Sequence, residues 1–505
     1  VSLSSLKKRL GIPYVWAFTT YFTEGFPYTY IRSISSLFFR DMGVKLESIG
    51  LTSLYGLPWV FNFLWGPIVD KYETKRRWML AVQALLTGLM LTVALCSPFD
   101  FAVPAIAVLF FVGSIFAATQ DVSIDGYYME ALDRPGQAKF VGYRVMAYRI
   151  AMMTGTGVIA TLGTTVNWFT AFVASACIFG LFFVYHIFFL PHAEERRTPV
   201  RILARTLMRL RVLLIGICAA AAIIGVRLFY TSAVYEGIRE AHPFLKKIYF
   251  SHWVAIGLLI ALVVLLLLRN RIKRAIAGRP DSFYARAFFD FIHRDKIGVI
   301  FAFIILLRTG EFMLTTMIAP FFVDLGIKVH YGWLSSAVGL PFSILGAMLG
   351  GWMIARWSLK RVMWPFILLQ NITNLVYMVL AFSLISYIRM NTGVDDPVPI
   401  GTWNLVYVAS VHAFDHFAGG LGTAVLMTFL MRICRQEFKA AHYAIGTGFM
   451  NISGVFAGVF GGFLCSWFGY GYYFGISFLC SIPAMITIFF LPDVIFSEYR
   501  PRDSS

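Results

Sequence analysis

Asp121 and Asp125 stand four residues apart in FAATQDVSIDGYYMEAL (116–132), a segment that apart from Gln120 and Glu130 is made of apolar, small and hydroxyl side chains. That spacing puts both on one face of a helix. Two carboxylates that close in a poorly polarisable setting share negative charge badly, so the pair is suited to carrying a proton. Other ionisable residues are sunk in apolar blocks in the same way: Glu24 and Arg32, Glu130, Arg144 and Arg149, Arg308 and Glu311, Asp415 and His416, and His442. A charge in hydrocarbon costs a few kcal/mol or more, so each is expected to have a partner or a task. Arg308 and Glu311, three apart, can pair as a structural salt bridge or as part of a gate. Arg32 and Arg144 read as residues near helix ends that snorkel; Arg149 lies deeper and suits an anionic substrate group or an acidic partner.

Neutral polar residues extend the pattern. Gln120 precedes Asp121, and Gln370, Asn374 and Tyr377 repeat at i, i+4 and i+7, a stripe expected to line a cavity. Pro27 beside Glu24 in FTEGFPY (22–28) predicts a broken helix at a site that includes Tyr28. Glycines in GVFAGVFGG (454–462) read as close helix packing. In HAFDH (412–416), His412 and His416 share a face, but no third ligand is evident by spacing, so neither a metal nor a cofactor is expected. No GxxxxGK[ST] phosphate loop is present, which disfavours ATP-driven transport.

The elements that must hold these groups are membrane helices. Of 505 residues 59% are hydrophobic and 14% charged, with mean hydropathy +0.73, and the apolar residues come in blocks of about 20, the length that crosses a bilayer. Fourteen spans are expected. The first six are 12–38, 46–70, 78–97, 101–127, 141–164 and 167–190; two follow at 212–232 and 251–268. The last six are 297–323, 332–355, 361–388, 401–434, 440–467 and 471–491. The first block reads as a span rather than a cleaved leader, since no small-residue cleavage site follows. Trp16, Trp78, Trp168 and Trp253 sit at block ends, as in an interfacial belt. The net charge of +17 is gathered in short runs, KYETKRR (71–77), 191–211 and 269–296, all falling between spans on one side. That places both termini in the cytoplasm, and it argues for anionic lipid rather than nucleic acid as the basic segments' partner. The loop 233–250 is amphipathic and expected to lie on the membrane surface. The six cysteines are scattered in apolar spans and read as packing residues.

The two sets of six carry an echo: GPIVDKYETKRR (66–77) and GGWMIARWSLKR (350–361) follow equivalent spans. Parallel repeats of this kind are the major facilitator architecture. The expected organisation is all-α and polytopic: 1–195 and 297–505 as two six-helix bundles, with 196–296 as a central insertion bearing two extra helices. Gly66, Asp70, Arg76 and Arg77 resemble that superfamily's signature between helices 2 and 3. They would form a lock between helices, although the two arginines equally suit positive-inside anchors.

The segments GLPWVFNFLWGPIVDKY (56–72), FAATQDVSIDGYYMEAL and GYRVMAYRIAMMTGTG (142–157) resemble the AmpG-type muropeptide permeases, a group related to the acetyl-CoA transporters. LLRTGEFMLTTMIAPFF (306–322), LLQNITNLVYMV (368–379) and HAFDHFAGGLGTAVLMTFLMRIC (412–434) continue the likeness. The resemblance covers both six-helix sets and omits the inserted pair. It implies proton-driven import of cell-wall fragments with amino sugar and peptide across a bacterial inner membrane; the protein is separately expected to be a monomer. The resemblance matches Asp121 and Asp125 to the family's fourth-span acids, Arg149 to its fifth-span arginine, Arg308 and Glu311 to positions that often hold a base and an acid, and Gln370, Asn374 and Tyr377 to its ninth-span stripe. Asp121, Asp125, Glu311 and Asp415 are expected to couple protons. From the residues themselves, Glu24, Tyr28, Gln120, Arg149, Arg308, Gln370, Asn374, Tyr377, His416 and His442 are expected to bind the small-molecule substrate. Asn62 stands where the family often has lysine, and Asp415-His416 replaces a typical Glu-Asn. Alternatives are transport of another anionic or acetylated metabolite such as acetyl-CoA, or of a peptide. An intramembrane transferase would need a reactive loop cluster, which is not evident, and a receptor or scaffold would have its buried charges paired structurally.

Overall fold

The structure is a computed structural model. It describes residues 12–192 without 63–64 and 133, short stretches between 199 and 267 (chiefly 232–242 and 252–257), and 289–496 without 292–293, 295, 395, 436–438 and 494–495. Most of the inserted spans 212–232 and 251–268, and of the basic segment 269–296, lies outside the described residues. The described chain is helical, without strands.

Pro13 opens the first helix at a position where a missing N–H costs nothing. Pro13–Thr29, Tyr30–Ile34 and Ser35–Asp41 continue as one rod, α1, whose middle piece is π-helical. The break expected at Pro27 is therefore a widening of the helix three residues later, where the ladder re-forms around the missing donor. The second span, 46–70, is not one helix. It is built of Leu46–Ile49, a 3-10 turn Gly50–Gly56 and Leu57–Phe61, together α2, with a separate Gly66–Lys71; Gly50, Gly56, Pro58 and Pro67 interrupt regular hydrogen bonding. Then come α3 (Lys75–Cys96), α4 (Ala102–Ala131), α5 (Arg134–Met153, continued by the π-segment Thr154–Ile159 and by Ala160–Thr165) and α6 (Trp168–Phe189).

The second set starts with α7, Ile297–Leu307 and Thr309–Asp324, interrupted at Arg308. It continues with α8 (Lys328–Trp357), α9 (Leu359–Ser383) and α10 (Thr402–Arg432). The run Lys439–Thr487 turns at Gly469, whose φ of 75° suits glycine, giving α11 before it and α12 after it. Between the sets, Ala233–Ala241 forms a short helix with Val234 and Ile238 exposed.

Packing repeats with a shift of six helices. α1 packs on α5 as α7 packs on α11, and α3 joins α4 and α6 as α9 joins α10 and α12. The two sets meet along α2–α11 and α5–α8, the pairs that such a shift exchanges. Small residues make both seams possible. A Cβ on Gly458 would lie 2.3 Å from Ser53 Cβ, and one on Gly157 would lie 2.8 Å from Ser336 Oγ. The close-packing reading of 454–462 thus has a named partner, α2. Of the expected belt tryptophans, Trp16 and Trp168 are buried and Trp253 is exposed. Trp168 instead turns inward to donate to Asp41, 2.7 Å away.

Gly458→Val should overpack the α2–α11 seam at a cost of about 1–3 kcal/mol. A lower thermal unfolding midpoint in detergent is expected, whereas Gly88→Val, with nothing within 4 Å of its Cβ, should leave it nearly unchanged. Equal midpoints would show that the seam is not closed.

Candidate functional site

Between the two sets lies a cavity of about 500 Å³, lined by α1 and α5 on one side and by α7, α8, α9 and α10 on the other. Each wall carries charge, arranged differently.

Behind the first wall, Asp125 of α4 accepts a hydrogen bond from the Tyr21 hydroxyl (2.8 Å) and pairs with Arg144 (3.2 Å), two residues that line the cavity. The Arg144 guanidinium lies over the Tyr21 ring, 4.4 Å from its centroid. Arg144 does not snorkel to an interface: its acidic partner is inside. Arg32 also turns inward and donates to the Ser53 carbonyl at 2.9 Å, across to α2. Asp121 shares a helix face with Asp125, but its partner is a different one. Its Oδ2 accepts from Trp59 Nε1 at 2.5 Å, and its Oδ1 has no hydrogen-bond partner among the described residues. The two acids are thus held separately, Asp125 at a three-helix junction and Asp121 behind it. Glu24 lines the cavity with an Oε2 that has no hydrogen-bond partner among the described residues, and Tyr28, edge-on to Trp59 at 5.2 Å, lines it too. Arg149 reaches the cavity and has no hydrogen bond or ion pair with any described residue.

On the second wall, Arg308 grips Glu311 through two guanidinium nitrogens, and Gln370 donates to the same carboxylate. The pair expected from spacing is formed, and Arg308 is committed to it. Asp415 and His416 line the cavity beside Thr373.

Several expected site residues lie elsewhere. Of the stripe on α9, only Gln370 lines the cavity; Asn374 and Tyr377 are buried between helices, Tyr377 against His412 Nδ1 at 2.8 Å. A 3.6-residue period drifts round the helix, so Thr373 takes the place expected of Asn374. Gln120 is buried and donates to the Thr23 carbonyl at 2.7 Å, tying α4 to α1. His442 is remote from the cavity, packed against Arg294 (2.8 Å) and Asp290 (3.6 Å). Arg76 donates to the carbonyls of Ile187 and Leu190 and so caps the C-terminus of α6, and Arg77 pairs with Glu73. Gly66 opens the short helix after α2, and the Asp70 side chain lies outside the described residues.

Sequence reading missed the contacts that join the sets. Arg40 makes a two-pronged bond with Asp324 (2.7 and 2.6 Å), and Tyr470 donates to the same carboxylate at 2.6 Å. The neighbouring Asp41 accepts from Lys328 at 2.6 Å as well as from Trp168. Both pairs link the end of α1 to the end of α7 and the turn after it. Their signal was present: an acid and a base stand at the same place after the first helix of each set. At the other end of the bundle the described pairs do not join the two sets: Arg77–Glu73 lies in the first and Lys360–Asp493 in the second, while Arg294–Asp290 lies in the segment before α7 and Arg435–Asp290 ties that segment to the second set.

Residues 17–281 and 300–504 match the Major Facilitator Superfamily. The chain belongs to this superfamily. Relatives include the anhydromuropeptide permease of Escherichia coli K12, 20% identical over 92% of this chain and 77% of that protein. Others are a Haemophilus influenzae protein of undetermined character, 23% identical over 94% and 93%, and the putative transporter AmpG 1 of Rickettsia prowazekii, 20% identical over 95% and 98%. The fold is similar to that of the peptide transporter POT in complex with sulfate, with TM-score 0.65, 12% identity and coverage of 98% and 99%. It is also similar to the inward-open xylose transporter XylE of E. coli, with TM-score 0.55, 12% identity and 97% of each chain covered. Within the superfamily the likeness is to AmpG-type permeases, and the protein is a multi-pass membrane transporter rather than an enzyme.

Breaking one side of the buried Arg40–Asp324 pair should cost about 3–5 kcal/mol. Asp324→Asn is therefore expected to lower the thermal midpoint in detergent, and Arg40→Gln in the same chain to recover part of the loss. Additive losses in the double variant would show that the two side chains are not coupled.

Proposed function

We propose that this transporter imports muropeptide-like fragments, amino sugar with attached peptide, across a bacterial inner membrane in symport with protons. The observation that carries the substrate reading is the likeness to an anhydromuropeptide permease along 92% of the chain. The cavity supports it: an uncommitted Arg149 suits a carboxylate, and the unpartnered Oε2 of Glu24 suits an amine or hydroxyl. Its volume of about 500 Å³ lies within the range of small-molecule sites.

The proposed machinery divides the chain into bundles 1–195 and 297–505 that rock about the cavity, with 196–296 as an inserted pair and both termini cytoplasmic. The Arg40–Asp324 and Asp41–Lys328 pairs then close the outer end, and the cycle requires them to part. Asp125 is the proposed proton carrier. While ionised it holds Arg144 and accepts from Tyr21; protonation cancels its charge and frees Arg144 to face the cavity. Glu311, held by Arg308 and Gln370, and Asp415 are the corresponding acids of the second wall. The transporter is proposed to work as a monomer.

In proteoliposomes with an imposed pH gradient, Asp125→Asn should reduce accumulation of a labelled muropeptide at least tenfold while retaining exchange across the membrane. Full gradient-driven accumulation would remove Asp125 as the coupling site. Arg149→Gln should raise KM about tenfold, the equivalent of about 1.4 kcal/mol, for ligands bearing a peptide carboxylate and little for the uncharged sugar portion. If free peptides or acetyl-CoA compete as well as amino-sugar ligands do, the substrate assignment fails and the transporter class stands.

A further inference from the structure

His412, Asp415 and His416 share one stretch of α10, and the fold brings together what sequence spacing left as two histidines. One ring nitrogen from each histidine and a carboxylate oxygen of Asp415 all lie within 4.8 Å of one another. Asp415 and His416 face the cavity, and His412 stands behind them, 2% exposed. The two imidazole centroids are 4.4 Å apart.

A second observation concerns His412 alone. Its Nδ1 is engaged by the Tyr377 hydroxyl at 2.8 Å, while its Nε2 is buried with no hydrogen-bond partner among the described residues. An unsatisfied buried polar atom is costly and calls for an explanation. With Nδ1–H donated to the Tyr377 oxygen, the Nε2 lone pair is free. That is the arrangement in which an outer hydrogen bond fixes a histidine's tautomer and aims its other nitrogen at a metal. His416 is held from the far side by α8, where Gly339 leaves room for the ring: a Cβ there would lie 2.8 Å from its Nε2.

We propose that His412, Asp415 and His416 form a binding site for a divalent cation of the zinc class in the cavity wall. Two imidazoles and one carboxylate are a donor set that zinc accepts, with remaining positions open. Ligand atoms about 2.0–2.2 Å from a tetrahedral ion stand roughly 3.4 Å apart, so rotamer adjustments of about an ångström close the present cluster around an ion. The open positions face the cavity and take water or a substrate carboxylate. Arg149 is the cation that faces His416 from the opposite set, and Asp415 is the counter-charge supplied within the cluster. Arg149 therefore opposes the ion, and removing it should tighten binding.

The test uses the full chain in detergent, stripped of metal and titrated with Co²⁺ as a visible probe and with Zn²⁺ in competition. About one equivalent of Co²⁺ should bind with d–d absorption typical of mixed nitrogen and oxygen ligation, and Zn²⁺ should displace it. His416→Gln and Asp415→Asn should weaken binding at least tenfold, Arg149→Gln should strengthen it severalfold, and His442→Gln should leave it unchanged. Unfolding midpoints without metal show whether each variant is folded, and Zn²⁺ should raise the midpoint of the unsubstituted chain but not of His416→Gln. Absence of the absorption, or undiminished binding in a folded His412→Gln/His416→Gln double variant, overturns the proposal. The readout is metal binding, so it stands or falls apart from the muropeptide reading.

Discussion

Arg40 and Asp324 hold the two helix sets together at one end, and the shape of the cavity follows from that. Each comes from the end of the first helix in its set, so a single two-pronged ion pair fixes the separation of α1 and α7. Tyr470 adds a third bond from α12, and the adjacent Asp41–Lys328 pair repeats the link. Charged hydrogen bonds of this geometry are strong when sheltered, and Asp324 is buried. Beneath them the seams α2–α11 and α5–α8 close on glycine and serine, where backbones come near enough to exclude larger side chains. The π-helical pieces of α1, α5 and α8 meet at the same level. Such segments leave backbone groups less tightly bonded than a regular helix does, which suits the junction about which the proposed rocking turns.

Below that junction the charges divide by whether they are satisfied. Asp125, Arg144, Arg308 and Glu311 are paired within their own set, which fixes the walls. Glu24 and Arg149 keep binding capacity in reserve. In a medium where an unpaired charge is expensive, such capacity directed at a cavity supports the binding roles proposed for Glu24 and Arg149.

Much of the fold was legible in the amino-acid order, because apolar block length and the placement of Lys and Arg depend on the bilayer and not on tertiary detail. Local breaks were less legible. The second span looked continuous by hydropathy, yet its glycines and prolines divide it, and Pro27 widened a helix that it was expected to break. At the site, pairs at i+3 were readable, as Arg308 and Glu311 show. Partners from distant helices were not: Tyr21 with Asp125, Trp59 with Asp121 and Arg40 with Asp324 are separated by 104, 62 and 284 residues. The α9 stripe misled for a related reason. Residues on one face of a helix meet different neighbours along its length, so Gln370 reaches the cavity while Tyr377 is enclosed by His412 and Phe474.

In the proposed cycle the Arg40–Asp324 end opens and closes around a site built from both sets. Spin labels at Met42 and Val329, both exposed at that end, report it directly by pulsed electron–electron distance measurement in lipid nanodiscs. A short distance should dominate without ligand, with a longer population appearing on substrate and proton binding and prevailing in Asp324→Asn. One unchanged short distance under every condition, including in that variant, would contradict the account.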